Sequence, residues 1–230
     1  MHRSGTSCLT GSLEEYGLFL GGANNQAPHN KKGNKENKKT WKINDLVLSH
    51  NNGSWDSPPK QLLWNDKARQ MRNDFISLYQ QHSIWGFKDP RTVLTLPFWL
   101  EASNLNKVKL VATFRHPLLV ANSLKKRNGF TIEQSLSLWS TYNKQILEYY
   151  ERFKFPIISY DLNSSDYSMR VKQIAFTLGL SAESSTTEPF YDRELKHQRL
   201  TNNHIAKLPI HEQSIYTRLC DVEKESFRQL

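Results

Sequence analysis

Cysteine is nearly absent: the 230 residues contain two, Cys8 and Cys220. They stand at opposite ends of the chain, without the paired spacing of a zinc site or a redox motif, which argues against a structural metal and fits a reducing compartment. Long apolar runs are missing too. No stretch reaches the roughly 18 residues that a membrane-spanning helix needs, and Met1-His2-Arg3-Ser4-Gly5 lacks the apolar core of a signal peptide. These absences describe a soluble, cytoplasmic protein that does not insert into a membrane. The ATP-type loop G-x-x-x-x-G-K-[ST] is also absent, which argues against a kinase or an ATPase. There is no internal repeat.

What is present suits one folded domain over 1–230, since single domains commonly reach about 200 residues or more. The hydrophobic fraction is 37% and there are six Trp, while a mean hydropathy of -0.66 implies long polar loops. The balance of 31 Lys+Arg against 22 Asp+Glu gives a net charge of +9. That excess favours an anionic partner such as a nucleotide, an acidic glycan or nucleic acid, without choosing among them.

The pattern along the chain alternates short apolar strands with helices. Ser4-Gly5-Thr6-Ser7 runs into a helix on which Leu9 and Leu13 share a face. From Gly21 to Lys39 the chain is rich in Gly, Asn and Lys, a long exposed loop of the kind that is functional or disordered. Helices are expected over Trp41 to Ser49, around Trp64 to Tyr79, over Leu118 to Arg127, over Ile132 to Phe153, over Met169 to Leu178, and around Ile215, Leu219 and Val222. Strands are expected at Ile84 to Phe87, Val108 to Phe114 and Pro156 to Tyr160. This alternation predicts an α/β protein, with a central parallel sheet flanked by helices in three layers. Ligands of such sheets bind at the carboxyl ends of the strands. Two strands end in charged residues there, at Lys88-Asp89-Pro90-Arg91 and at Arg115-His116-Pro117.

Three groups of residues carry candidate chemistry. Ser4-Gly5-Thr6-Ser7 at a helix start offers backbone N–H groups and hydroxyls to a phosphate, with Arg3 beside them; the alternative is an ordinary helix cap. Arg115 lies at a strand end and Ser123 follows eight residues later in the next helix, turned back toward it, a pair that suits a phosphate monoester. As an isolated pair, they are a surface arginine and a helical serine. The stretch Lys31 to Lys42 holds six Lys; it either guides an anionic acceptor or is simply solvated. Arg91 and His116 read as structural residues, and the Trp139, Tyr142, Ile146 and Tyr149 stripe reads as core. Trp41, Trp55 and Trp64 are either a sugar-stacking wall or core.

Taken together, His2-Arg3-Ser4-Gly5-Thr6-Ser7, Lys88-Asp89-Pro90-Arg91, Phe114-Arg115-His116-Pro117 with Ser123 and Leu124, and Tyr160-Asp161-Leu162 resemble, in order, the motifs of the sulfotransferases that use 3′-phosphoadenosine-5′-phosphosulfate (PAPS). The likeness is to the bacterial and tyrosylprotein branches and covers nearly the whole chain. It implies a P-loop-like sulfotransferase fold in which Arg3, Ser4, Gly5, Thr6 and Ser7 hold the 5′-phosphosulfate, and Arg115 and Ser123 the 3′-phosphate. It also implies that Arg3 and Lys88 stabilise the charge of the moving sulfuryl group. Glu36 stands where related branches carry the general base, and Asp89 is the fallback; the alternatives are a solvated Glu36 and a turn-forming Asp89. The product is 3′-phosphoadenosine-5′-phosphate (PAP), and the acceptor is a hydroxyl, or an amine, of a glycan, small molecule or peptide. No metal is implied. Members of the family carry an apolar strand immediately before the phosphosulfate loop, whereas only Met1 precedes His2 here. Either the true start lies upstream or the sheet has a truncated first strand.

Two rival classes remain open. A basic nucleic-acid binder would fit the sequence pI of about 9.5, although no reading motif is visible and the positive charge is not interleaved with aromatics. A protein that binds PAP without catalysis would fit a sheet that lacks its first strand.

Overall fold

Three apolar residues of one strand lie beside three of another: β1 (Ala112–Phe114) and β2 (Ile157–Ser159) pair in parallel, with Ala112 opposite Ile157, Thr113 opposite Ile158 and Phe114 opposite Ser159. The computed structural model describes residues 1–26, 33–181, 190 and 208–228. Among these it has eight helices and this one two-stranded sheet, an α/β architecture. No described helix is long and apolar enough to cross a membrane.

The chain forms two compact units that are interleaved in sequence. The first comprises Met1–Leu9, Lys109–Leu178 and the described part of Tyr191–Leu230; the second comprises Thr10–Val108 and Gly179–Phe190. The division falls inside α1 (Thr6–Glu14), after Leu9.

In the first unit the parallel crossover from β1 to β2 is made by α5 (Pro117–Asn128) and α6 (Ile132–Phe153), which pack on each other. Their limits follow from local chemistry. Pro117 occupies the first turn of α5, and Gly129 ends it at φ 74°, a left-handed position that costs glycine nothing. A capping box opens α6: Thr131 Oγ1 accepts from Gln134 N at 3.1 Å, and Gln134 Oε1 accepts from Thr131 N at 3.0 Å. Next come α7 (Ser164–Thr177), capped by Asn163, and α8 (Ile210–Arg228). Side chains of α8 satisfy the outer edge of β2: Ile157 N donates to Ser226 Oγ at 3.3 Å and Ser159 N to Glu223 Oε1 at 2.8 Å. That edge is thereby closed to further strand pairing. Trp139, Tyr142, Ile146 and Tyr150 of α6 are buried, so most of the aromatic stripe is core; Tyr149 is half-buried.

The second unit is built on α2 (Lys38–His50), α3 (Asp66–Ser77) and α4 (Thr92–Glu101) around Ile43, Val47, Ala68, Phe75, Phe98 and Trp99. A buried amide ties two of these helices together. Asn44 Oδ1 accepts from Thr95 Oγ1 at 2.7 Å and from Trp99 Nε1 at 2.8 Å. Trp64 lies partly buried against this core, whereas Trp41 stays exposed.

Two sequence expectations change. The strand expected at Ile84 to Phe87 is a single parallel bridge between Phe19 and Trp85, with Gly86 N donating to Phe19 O at 3.0 Å. Turn residues flank both segments, so the pairing does not propagate. The expected strand from Val108 shortens to Ala112–Phe114. In addition, α4 has no forerunner in the pattern, because Pro97 stands inside it. Of the expected loop from Gly21 to Lys39, residues 27–32, including Lys31 and Lys32, lie outside the described residues.

The first unit depends on Trp139, fully buried, whose Nε1 donates to the Arg115 carbonyl at 2.9 Å. Trp139→Phe removes this donor and leaves a void, a combined loss of about 2 kcal/mol. Urea denaturation of the variant checks this; an unchanged midpoint would show that the contact carries no stability.

Candidate functional site

The loop before α1 alternates its backbone. Arg3 has φ 64° and Gly5 φ 82°, on either side of Ser4, and the first bond of the helix runs from Leu9 N to Gly5 O at 3.0 Å. N–H groups of a helix's first turn project beyond its N-terminus, where the helix dipole favours negative charge. Strand β1 anchors the loop, since Thr113 Oγ1 donates to Ser4 O at 3.1 Å. The Tyr160 ring lies so close to Gly5 that a Cβ there would come within 2.3 Å of it. Gly5 is therefore required twice, for its φ and for this approach.

Arginine dominates the electrostatics of this unit. Arg3 Nε donates to Ser123 Oγ at 2.7 Å, joining the loop to α5 across 120 residues of sequence. Burial, and then the charges of Arg127 and Arg115, push the Arg3 guanidinium below its usual pKa. Arg3, Arg115 and Arg127 thus lie in one another's field. Arg115 sits 5.2 Å over the Tyr160 ring and only 3.4 Å from Asp161 Oδ1, while Asp161 Oδ2 accepts from His116 N at 2.7 Å. Ser4 Oγ is buried and makes no hydrogen bond. Three arginines in one another's field, a helix N-terminus and a buried hydroxyl that makes no hydrogen bond suit a phosphate-bearing ligand.

Sequence reasoning placed Ser123 opposite Arg115; in the structure its hydroxyl is held by Arg3. Arg127 escaped notice because Lys125, Lys126 and Arg127 form the last turn of α5, where basic residues answer the helix dipole. His116 is wholly buried against the edge of Tyr216, with ring centroids 4.8 Å apart, which fits its reading as a structural residue.

The remaining candidates, Glu36 and Lys88, belong to the second unit and meet each other. Lys88 Nζ lies 2.8 Å from Glu36 Oε1, with the lysine side chain 11% and the glutamate 21% exposed. Burial pushes the Lys88 pKa down, and the Glu36 carboxylate opposes that. Glu36 is pinned where it stands, because Asn24 N donates to its carbonyl at 2.9 Å and Ala23 bridges Asn37 next door. It is not a freely solvated glutamate. Asp89 uses both oxygens on Arg91 Nη1, at 2.9 and 3.1 Å, and accepts from Arg91 N at 2.8 Å, so it fixes the turn into α4.

Among the described residues no group of three or more His, Cys, Asp or Glu could hold a metal ion. Comparison with family models, with curated proteins and with solved structures finds no match to this chain.

Gly5 and Gly129 separate the two demands on the loop. Both have positive φ, 82° and 74°, but an added Cβ meets nothing within 4 Å at Gly129 and strikes Tyr160 at Gly5. Gly129→Ala should cost only the backbone term of about 1 kcal/mol, and Gly5→Ala about 1 to 3 kcal/mol more for overpacking. Paired melting curves check the order; equal losses would show that Tyr160 moves aside freely.

Proposed function

We propose that the chain is a PAPS-dependent sulfotransferase with a three-layer, P-loop-like fold. The observation that carries this reading is the bond from Arg3 Nε to Ser123 Oγ, 2.7 Å long. It joins the two segments that the resemblance assigns to the two ends of one nucleotide, the 5′-phosphosulfate loop and the 3′-phosphate motif. The company of Arg115 and Arg127 in the field of Arg3 supports it further.

In the proposed reaction the acceptor oxygen bonds to sulfur as the bond from sulfur to the 5′-phosphate oxygen breaks, and PAP leaves. The loop amides and Arg3 hold the 5′ end, and Arg115 with Ser123 holds the 3′-phosphate. On the resemblance, Glu36 takes the acceptor's proton and Lys88 faces the charge that builds on the sulfuryl oxygens. The ion pair between these two brings base and cation to one place.

Transfer of labelled sulfate from PAPS to a panel of glycans, phenols and peptides tests the proposal, with Glu36→Gln as the key variant. Gln keeps an acceptor for Lys88 but takes no proton, so transfer should fall about 10²- to 10⁴-fold while PAP affinity is retained. Transfer by Glu36→Gln at the wild-type rate removes Glu36 from the chemistry. A wild-type protein that binds PAP but transfers to no acceptor is a non-catalytic PAP binder. Steeply salt-dependent binding of nucleic acid without affinity for PAP places the chain in the rival class.

A further inference from the structure

One side chain just beyond α3 does more than its packing requires. Tyr79 is half-buried, stacks on Trp85 with ring centroids 5.2 Å apart and meets Phe75 edge-on at 4.9 Å. A phenylalanine would make the same ring contacts. The hydroxyl has a separate use: it accepts from Asn37 Nδ2 at 2.9 Å, across 42 residues of sequence.

Asn37 is buried and follows Glu36 directly. Its Oδ1 accepts from Lys39 N at 2.9 Å and so caps α2, while its carbonyl accepts from Trp41 N at 3.1 Å and from Thr40 Oγ1 at 2.8 Å. Capping leaves Nδ2 over, and Tyr79 takes it. A buried amide with one group unsatisfied would turn or shift to find a partner, and Glu36 is one peptide plane away.

The same aromatic cluster reaches Lys88. Trp85 and Phe87 both pack on the core around Phe75, and Phe87, which lies 4.5 Å from Trp99 between ring centroids, immediately precedes Lys88. The cation thus leaves the cluster at one point, and the carboxylate is tied to it at another, through Asn37. The two meet at 2.8 Å although 52 residues separate them in sequence. Glu36, Asp89 and Arg91 are the charged groups that bear on Lys88. Asp89 and Arg91 grip each other, which leaves Glu36 as the carboxylate for Lys88.

We propose that Tyr79 is a positioning residue for Glu36: through Asn37, its hydroxyl keeps the Glu36 carboxylate on Lys88. Resting on the sulfotransferase reading, Tyr79 then acts on transfer through the base.

NMR titration of the lysine side-chain amines in the full chain tests the placement without donor or acceptor, with the Lys88 signal assigned from Lys88→Arg. Burial pushes Lys88 down and the Glu36 carboxylate opposes that, so Glu36→Gln should lower its midpoint. Tyr79→Phe should lower it in the same direction by less. Asn37→Ser, which keeps a capping hydroxyl but does not reach Tyr79, should act like Tyr79→Phe. In the Glu36→Gln background Tyr79→Phe should shift nothing further, because its effect passes through the carboxylate. A Lys88 midpoint that Tyr79→Phe leaves in place overturns the proposal. So does a shift of equal size with and without the Glu36 charge, which is the mark of general loosening. Transfer of sulfate from PAPS is measured alongside. There Tyr79→Phe should lower kcat about 2- to 10-fold at unchanged PAP affinity, as the loss of one hydrogen bond implies, and add no loss to Glu36→Gln. A coupled Lys88 shift in a chain that transfers no sulfate keeps the positioning role and removes the sulfotransferase reading; transfer that Tyr79→Phe leaves untouched, with Lys88 unmoved, does the reverse.

Discussion

Three guanidinium groups in one another's field, with the Asp161 carboxylate beside one of them, are the constraint on which the first unit turns. Arg3 is half-buried and feels Arg127 and Arg115, while Asp161 stands 3.4 Å from Arg115 and divides itself between that arginine and the His116 amide. Arg115 is buried, Arg3 half-buried and Arg127 exposed, and like charges held this close repel; fixed partners offset that, the Ser123 hydroxyl for Arg3 and the Tyr160 ring with Asp161 for Arg115. Such an arrangement is one that a bound phosphate would stabilise. Protein architecture elsewhere in the unit serves to hold these groups still. Trp139 and Asp161 grip the backbone at Arg115 and His116, and Thr113 grips Ser4.

The second unit solves a similar problem differently. There the buried cations meet carboxylates directly: Lys88 has Glu36, Lys35 has Glu14 at 2.6 Å, Arg91 has Asp89 and Asp45, and Arg72 has Glu101, which it shares with Arg69. Taking one partner from such a pair leaves a charge stranded in low dielectric, which is costly. The pairing also gives Glu36 and Lys88 fixed positions.

The legibility of the sequence followed the range of the interactions. Helix limits set by neighbouring residues were readable: α5 between Pro117 and Gly129, and α6 from its Thr131 and Gln134 box, lie within a residue of expectation. Interactions across long separations were not. Nothing local announces that Arg3, not Arg115, meets Ser123, or that Glu36 in a Lys-rich stretch is claimed by Lys88 across 52 residues. The apolar run Ile84 to Phe87 suggested a strand because its residues are apolar; the aromatic core claims Trp85 and Phe87, and only Phe19 offers a bridge. Pro97 concealed α4, since proline inside a helix is a rare price for a sequence to pay. Arg127 was read as part of a helix end, and its second role depends on Arg3, which lies far away in sequence.

Calorimetric titration of PAP and of adenosine 5′-phosphosulfate, which has no 3′-phosphate, into the wild-type chain and Arg115→Ala tests the central claim most directly. If the arginine-rich loop unit is a nucleotide site with separate places for the two phosphates, PAP binds saturably and Arg115→Ala weakens it by about 1.5 to 3 kcal/mol, while the phosphosulfate is nearly unaffected. Absence of PAP binding to the wild-type chain, or equal weakening of both ligands by Arg115→Ala, would contradict it.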